Sequence, residues 1–232
     1  MAKAVFFDLG DTLIRVPERY REERDFFVQS QLEKLGYKRS MIEIKEAREK
    51  TWKHIETRYR ARAKEKYDEA LVPSTLFKNL GVKIDRDQIM QMEREREKVV
   101  GKSIQLMPNA KEILEYLRNK GYELVMVTNN STRWANHLLD RFGLRKYFDH
   151  VVVSEEVGEE KSTTLPFKVA LERTGLKPED VVVVGDRSDE DVYGAKMLGM
   201  KAVRIRSSVP VFGETREADH EIEDLKELKK IL

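Results

Sequence analysis

Five short apolar runs punctuate the chain: AVFF at 4–7, ELVMV at 123–127, VVV at 151–153, VVVV at 181–184 and KAVRI at 201–205. Such runs, rich in β-branched residues, predict strands covered on both faces, because a half-exposed strand would alternate polar and apolar positions. Segments of helical period separate them. In PNAKEILEYLRNKG (108–121), Ile113, Leu114 and Leu117 share one face, Pro108 can open the helix and Gly121 can close it. Regular alternation of strand and helix predicts an α/β fold built on a parallel sheet.

One long stretch departs from this alternation. From Val16 to Lys102 no strand-like run appears, and the segment is dense in Arg, Lys and Glu. Ser40 with Glu43 and Asp85 with Gln88 have the spacing of helix capping pairs. Val28, Leu32 and Leu35, and later Ile89, Met92 and Val99 or Val100, supply sparse apolar faces. The simplest expectation is an all-helical insertion over 16–102, set into a core made of residues 1–15 and 103–232.

Composition narrows the function classes. Of 232 residues, 44 are Lys or Arg and 42 are Asp or Glu, so no overall field draws the chain to nucleic acid or to a membrane. The insertion holds 22 Lys and Arg against 17 Asp and Glu, a mild excess that suits solvated helix faces and would also help hold an anionic substrate. The absence of cysteine excludes disulfides, thiolate metal ligands and a cysteine nucleophile. No long apolar run lies near either end. The expectation is a cytoplasmic protein, monomer or homodimer, with no nucleic-acid or membrane partner. Abundant Glu, Lys and Arg without Cys is also the balance found in proteins from hot environments.

In open α/β sheets ligands bind beyond the carboxyl ends of the strands, so polar residues there are the candidates for chemistry. Asp8 follows the first run, Thr128-Asn129-Asn130 the second, and Lys161 lies in the loop after the third. Gly185-Asp186 follows the fourth, with Asp191 five residues on. Singly, each has an ordinary reading as a turn residue, a helix cap or a solvated lysine. Together, carboxylates that hold a hard cation such as Mg²⁺, beside a hydroxyl and an ammonium that hold phosphate oxygens, make a site for a cation and an anion.

With these residues in view, the chain resembles the haloacid dehalogenase superfamily. FDLGDTL is similar to the first family motif and VTNNS to the second. GEEKSTTLPF resembles the lysine loop, usually K-P-x-P-x-x-F, and VVVVGDRSDEDVYGAKMLGM the fourth motif, G-D-x-x-x-x-D. The resemblance implies a Rossmann-like parallel sheet core with the insertion as an all-α helical cap domain. It implies a Mg²⁺-dependent phosphohydrolase of a small phosphorylated metabolite, acting through an aspartyl-phosphate. Carried onto this chain, Asp8 would be the nucleophile, and Thr128 with the Asn129 backbone N–H would bind the phosphoryl group. Lys161 would neutralise shared charge, while Asp8, the Gly10 carbonyl, Asp186 and Asp191 would hold the metal.

One position departs from the family pattern. The first motif usually reads D-x-D, and its second Asp serves as acid and base through its side chain. Here Gly10 keeps the carbonyl and lacks the carboxylate. Three explanations stand open: Asp11 takes over the proton transfer, the substrate has a leaving group that needs no acid, or the protein is a 2-haloacid dehalogenase or a phosphonoacetaldehyde-cleaving enzyme, classes that also lack the second Asp. A fourth reading is a catalytically weakened member that binds a phosphorylated metabolite or a partner. In the insertion, Tyr20, Trp52, His54, Arg58, Tyr59 and Arg62 are candidates for substrate selection.

Overall fold

The computed structural model describes residues 2–59, 62–207 and 213–232. The chain divides into two compact units, Met1–Arg15 with Leu106–Leu232, and Val16–Gln105.

The first unit is built on a six-stranded sheet. Its strands are β1 (Ala4–Phe7), β4 (Glu123–Thr128), β5 (His150–Val153), β6 (Val181–Gly185), β7 (Lys201–Ile205) and β8 (His220–Ile222). The shorter β2 (Ile14–Arg15) and β3 (Gln105–Leu106) pair separately, where the chain passes between the units. The large sheet runs β5-β4-β1-β6-β7-β8, with every described pairing parallel. The five apolar runs are five of its six strands, and the burial of β1 and β6 along their whole length is what an unbroken run of Val and Phe requires. Phe6, Val125, Val127, Val152, Val181 and Val183 join Phe167, Ala170 and Val192 from the flanking helices in one core cluster.

The connectivity matters for the site. From β1 the chain steps outward through β4 to β5, then crosses to the opposite side of β1 for β6, β7 and β8. That reversal beside β1 opens a crevice at the carboxyl ends of β4, β1 and β6. Register aligns those ends: Phe7 lies opposite both Met126 and Val184.

Two details differ from the sequence reading. Pro108 does not open the next helix, which runs Ala110–Asn119 from a cap at Asn109 with φ 61. Asn tolerates this left-handed geometry, and its side-chain amide is held by the Asp224 carboxylate at 2.8 and 3.0 Å. The sixth strand, β8, was not expected, because HEI is short and buries only Ile222.

The second unit is helical as expected, with long helices Glu18–Lys34, Met41–Tyr59, Leu71–Asn79 and Arg86–Val99. Asp85 and Gln88 form a capping box, and Ser40 and Glu43 bond reciprocally at 2.8 and 3.2 Å. Leu32, Ile44, Leu76, Phe77, Leu80 and Met92 make its core. Of the alternatives at the last helix end, Val100 is buried and Val99 exposed. No helix among the described residues is long and apolar enough to cross a membrane.

Candidate active site

Asp8 sits one residue beyond β1, where its N–H donates to the Val184 carbonyl at 2.9 Å. This extra rung of the ladder fixes its side chain beside the end of β6. Lys161 begins a short 3₁₀ turn (Lys161–Thr163) ahead of the helix Leu165–Thr174. Its ammonium donates to Asp8 Oδ1 at 2.6 Å and to Asp191 Oδ1 at 2.5 Å. The Lys161 side chain is 1% exposed, which a charged amine tolerates only with such partners.

Asp186 follows β6, and Asp191 lies on a π-helical turn, Ser188–Val192. Such turns re-aim side chains and recur at functional sites. Asp191 is pinned at both ends, its N–H donating to the Arg187 carbonyl at 2.9 Å and its Oδ2 accepting the Arg187 N–H at 3.0 Å. A Cβ at Gly185 would overlap the Asp191 side chain. This close approach gives the glycine of GDRSDED its reason: any larger residue would displace the carboxylate.

Asp8, Asp186 and Asp191 offer oxygens that all lie within 4.8 Å of one another, and all three residues are buried. Burial pushes Asp186 up to about 8, reinforced by the charges of Asp8 and Asp191. Burial likewise lifts Asp191 to about 6 against the pull of Lys161, and raises Asp8 despite the same ammonium. Burial alone would lower Lys161, but Asp191 and Asp8 outweigh it and hold the ammonium above its ordinary range. Ionising all three carboxylates together would set three negative charges against one ammonium, and their raised values reflect that cost. Since an uncompensated buried ion costs several kcal/mol, the group is incomplete as a closed set of charges. A hard divalent cation fits: the donors are oxygens, their number suits Mg²⁺ with waters, and its charge offsets the excess.

The remaining expected residues are placed as follows. Thr128 ends β4 and is 2% exposed. Gly10 lies in the turn after Asp8, bridged to Ile14, and Asp11 beside it has φ 49. Asp11 is not a member of the three-carboxylate cluster. The Asn129 side chain has a part the sequence reading missed: its carbonyl accepts the Lys161 N–H at 3.0 Å and its amide donates to Glu190 at 2.9 Å. This one amide ties the ends of β4, the lysine loop and the acidic turn together. Ser207 was also missed, although its hydroxyl donates to Asp186 Oδ2 at 2.7 Å. The strand-end rule would have found it, since it lies just past β7. Among the candidates in the second unit, Trp52 lines a small cavity with Arg24, Asp25 and Arg48, and His54 and Tyr59 meet edge-on at 6.5 Å. Arg62 precedes the short helix Ala63–Lys66.

A family model described as haloacid dehalogenase-like hydrolase matches residues 2–199. A glyceraldehyde 3-phosphate phosphatase of Methanothermobacter thermautotrophicus is 38% identical over 134 residues, which are 54% of this chain and 58% of that relative. The aligned stretch therefore spans little more than half of either protein. Among solved structures, a HAD phosphatase from Thermococcus onnurineus superposes with a TM-score of 0.68 at 29% identity, covering 99% of this chain and 97% of the other. A 2-haloacid dehalogenase from Pseudomonas syringae pv. Tomato DC3000 superposes with a TM-score of 0.74 at 26% identity, covering 100% and 98%.

Proposed function

The chain belongs to the haloacid dehalogenase-like hydrolases, and from that membership we propose that it is a Mg²⁺-dependent phosphohydrolase of a small phosphorylated metabolite, acting through an aspartyl-phosphate on Asp8. The observation that carries this reading is the buried trio Asp8, Asp186 and Asp191 against the single ammonium of Lys161. Fold similarity does not separate a phosphatase from a dehalogenase here, since both superpose over nearly the whole chain. Charge does. A halide-releasing enzyme needs one nucleophilic carboxylate and no cation, whereas a cation is what would let two further buried acids ionise without a cost of several kcal/mol.

In this mechanism the Asp8 carboxylate attacks phosphorus, and the bond from phosphorus to the leaving oxygen breaks with its electron pair on that oxygen. Lys161 holds Asp8 in place and neutralises charge shared by the carboxylate and the phosphoryl oxygens. The Thr128 hydroxyl and the Asn129 N–H bind the transferring group. Asp8, Asp186, Asp191 and the Gly10 carbonyl would hold the cation, whose charge would offset repulsion between an anionic nucleophile and an anionic substrate. Water then attacks phosphorus, releasing phosphate and restoring the carboxylate. The name of the Methanothermobacter relative makes glyceraldehyde 3-phosphate the first substrate to try.

The test is release of inorganic phosphate from glyceraldehyde 3-phosphate and from para-nitrophenyl phosphate, with Mg²⁺ and with EDTA. The expected result is release that EDTA abolishes. Chloride release from 2-chloropropionate, unaffected by EDTA and without phosphate release, would establish the dehalogenase instead.

A further inference from the structure

Asp186 is the one acid of the cluster that Lys161 does not touch, since the ammonium is engaged with Asp8 and Asp191. Among the described residues the only hydrogen bond to its carboxylate comes from the Ser207 hydroxyl, donating to Oδ2 at 2.7 Å. We propose that Ser207 is a positioning residue of the cation site: it fixes the rotation of the Asp186 carboxylate and leaves Oδ1 for the cation. This rests on the reading of the three carboxylates as a metal centre.

The frame around Ser207 makes it a fixed donor rather than a passing surface contact. β6 and β7 are parallel, with Gly185 opposite Arg204, so the residues leaving β7 run alongside Asp186. The Arg204 side chain donates to the Asp186 carbonyl at 3.4 Å, and the Arg206 N–H donates to the Ile222 carbonyl at 2.9 Å, which extends the strand pairing to the residue before Ser207. The next described residue beyond Ser207, Gly213, returns to the same acidic turn, its N–H donating to Asp189 Oδ2 at 3.0 Å. Asp189 is itself buried and clasped by Arg187 at 2.9 and 2.8 Å. Ser207 and Gly213 are thus each held by a hydrogen bond to a buried aspartate that follows β6, Asp186 and Asp189. A carboxylate with one oxygen held needs less ordering when the other takes a metal, and partners of this kind are worth roughly 10- to 100-fold in metal affinity.

The test is calorimetric titration of the substrate-free protein with Mg²⁺, for wild type, Ser207→Ala and Ser207→Thr, beside para-nitrophenyl phosphate turnover as a function of Mg²⁺. Ser207→Ala is expected to bind Mg²⁺ about tenfold or more weakly, with kcat at saturating Mg²⁺ little changed. Ser207→Thr, which keeps the hydroxyl, is expected to bind as wild type does. Ser207→Ala binding as tightly as wild type would overturn the assignment while leaving the metal centre intact. Equal weakening in Ser207→Thr would overturn it too, since the loss would then follow from the altered segment rather than the hydrogen bond. A wild type that takes up no Mg²⁺ would remove the metal centre, and this assignment with it.

Discussion

A Cβ built on Gly10 meets no atom within 4 Å, and the left-handed backbone of this turn falls on Asp11, with φ 49, rather than on the glycine. Glycine is therefore not demanded at position 10 by space or by backbone angle, and a carboxylate can be restored there without strain. If no other group supplies the proton, Gly10→Asp should raise turnover of alkyl phosphates by up to the 10² to 10⁴-fold that general acid catalysis contributes, roughly, and para-nitrophenyl phosphate turnover far less. If Asp11 has assumed the role, Asp11→Asn should lower alkyl phosphate turnover by about 10² or more and spare the aryl ester. Asn tolerates a positive φ as well as Asp does, so the backbone angles of the turn suit that substitution. Parallel kcat measurements on glycerol phosphate and para-nitrophenyl phosphate separate the two cases. Unchanged rates in both variants would point to a substrate whose leaving group departs unaided.

Among the elements, the turn Ser188–Val192 and the strand pair β7–β8 do the positioning. Gly185 lets Asp191 fold back over the end of β6, and Gly194 performs a similar service: a Cβ there would lie 2.6 Å from the Phe167 ring and 2.8 Å from the Lys161 carbonyl. Both glycines are sites of close approach, and each supports a charged residue of the cluster. The edge strand β8 is fixed by Asp219, which accepts the Ala202 N–H at 2.7 Å and the Lys196 ammonium at 2.9 Å. Although partial burial opposes it, these bonds hold the Asp219 carboxyl below its ordinary value of 3.8. A depressed carboxyl contributes stability above its unfolded pKa and loses it as pH falls through the folded one. Asp219→Asn should therefore cost about 1 kcal/mol near neutral pH, a charged hydrogen bond discounted for partial exposure. The difference from wild type should shrink below pH 4. Urea denaturation at pH 7 and at pH 3 measures it, and a penalty undiminished at pH 3 would mean that packing rather than charge fixes the strand.

At the scale of the whole molecule, the sheet and its strand-end residues were legible because an unbroken Val and Phe run has few other places to go. Once those strands are parallel, Asp8, Thr128 and Asp186, which end or directly follow β1, β4 and β6, emerge at the carboxyl ends of those strands. What the sequence left hidden was set by contacts between residues distant along the chain. Asn129 clamps Lys161 and Glu190 through its amide, Ser207 reaches Asp186 from the next strand, and β8 pairs through a backbone whose side chains are mostly solvent-facing. Pro108 misled for a local reason, since Asn109 took the helix cap by adopting a left-handed conformation. The central claim is that Asp8 carries the phosphoryl group, and trapping that intermediate tests it most directly. The enzyme, turning over substrate with Mg²⁺, is quenched in acid, reduced with borohydride and digested for mass spectrometry. An acyl phosphate on Asp8 is reduced to homoserine at position 8, and the account predicts that product only when substrate and Mg²⁺ are both present. Phosphate release with unmodified Asp8 in every quench, or homoserine at another acidic position, would contradict it.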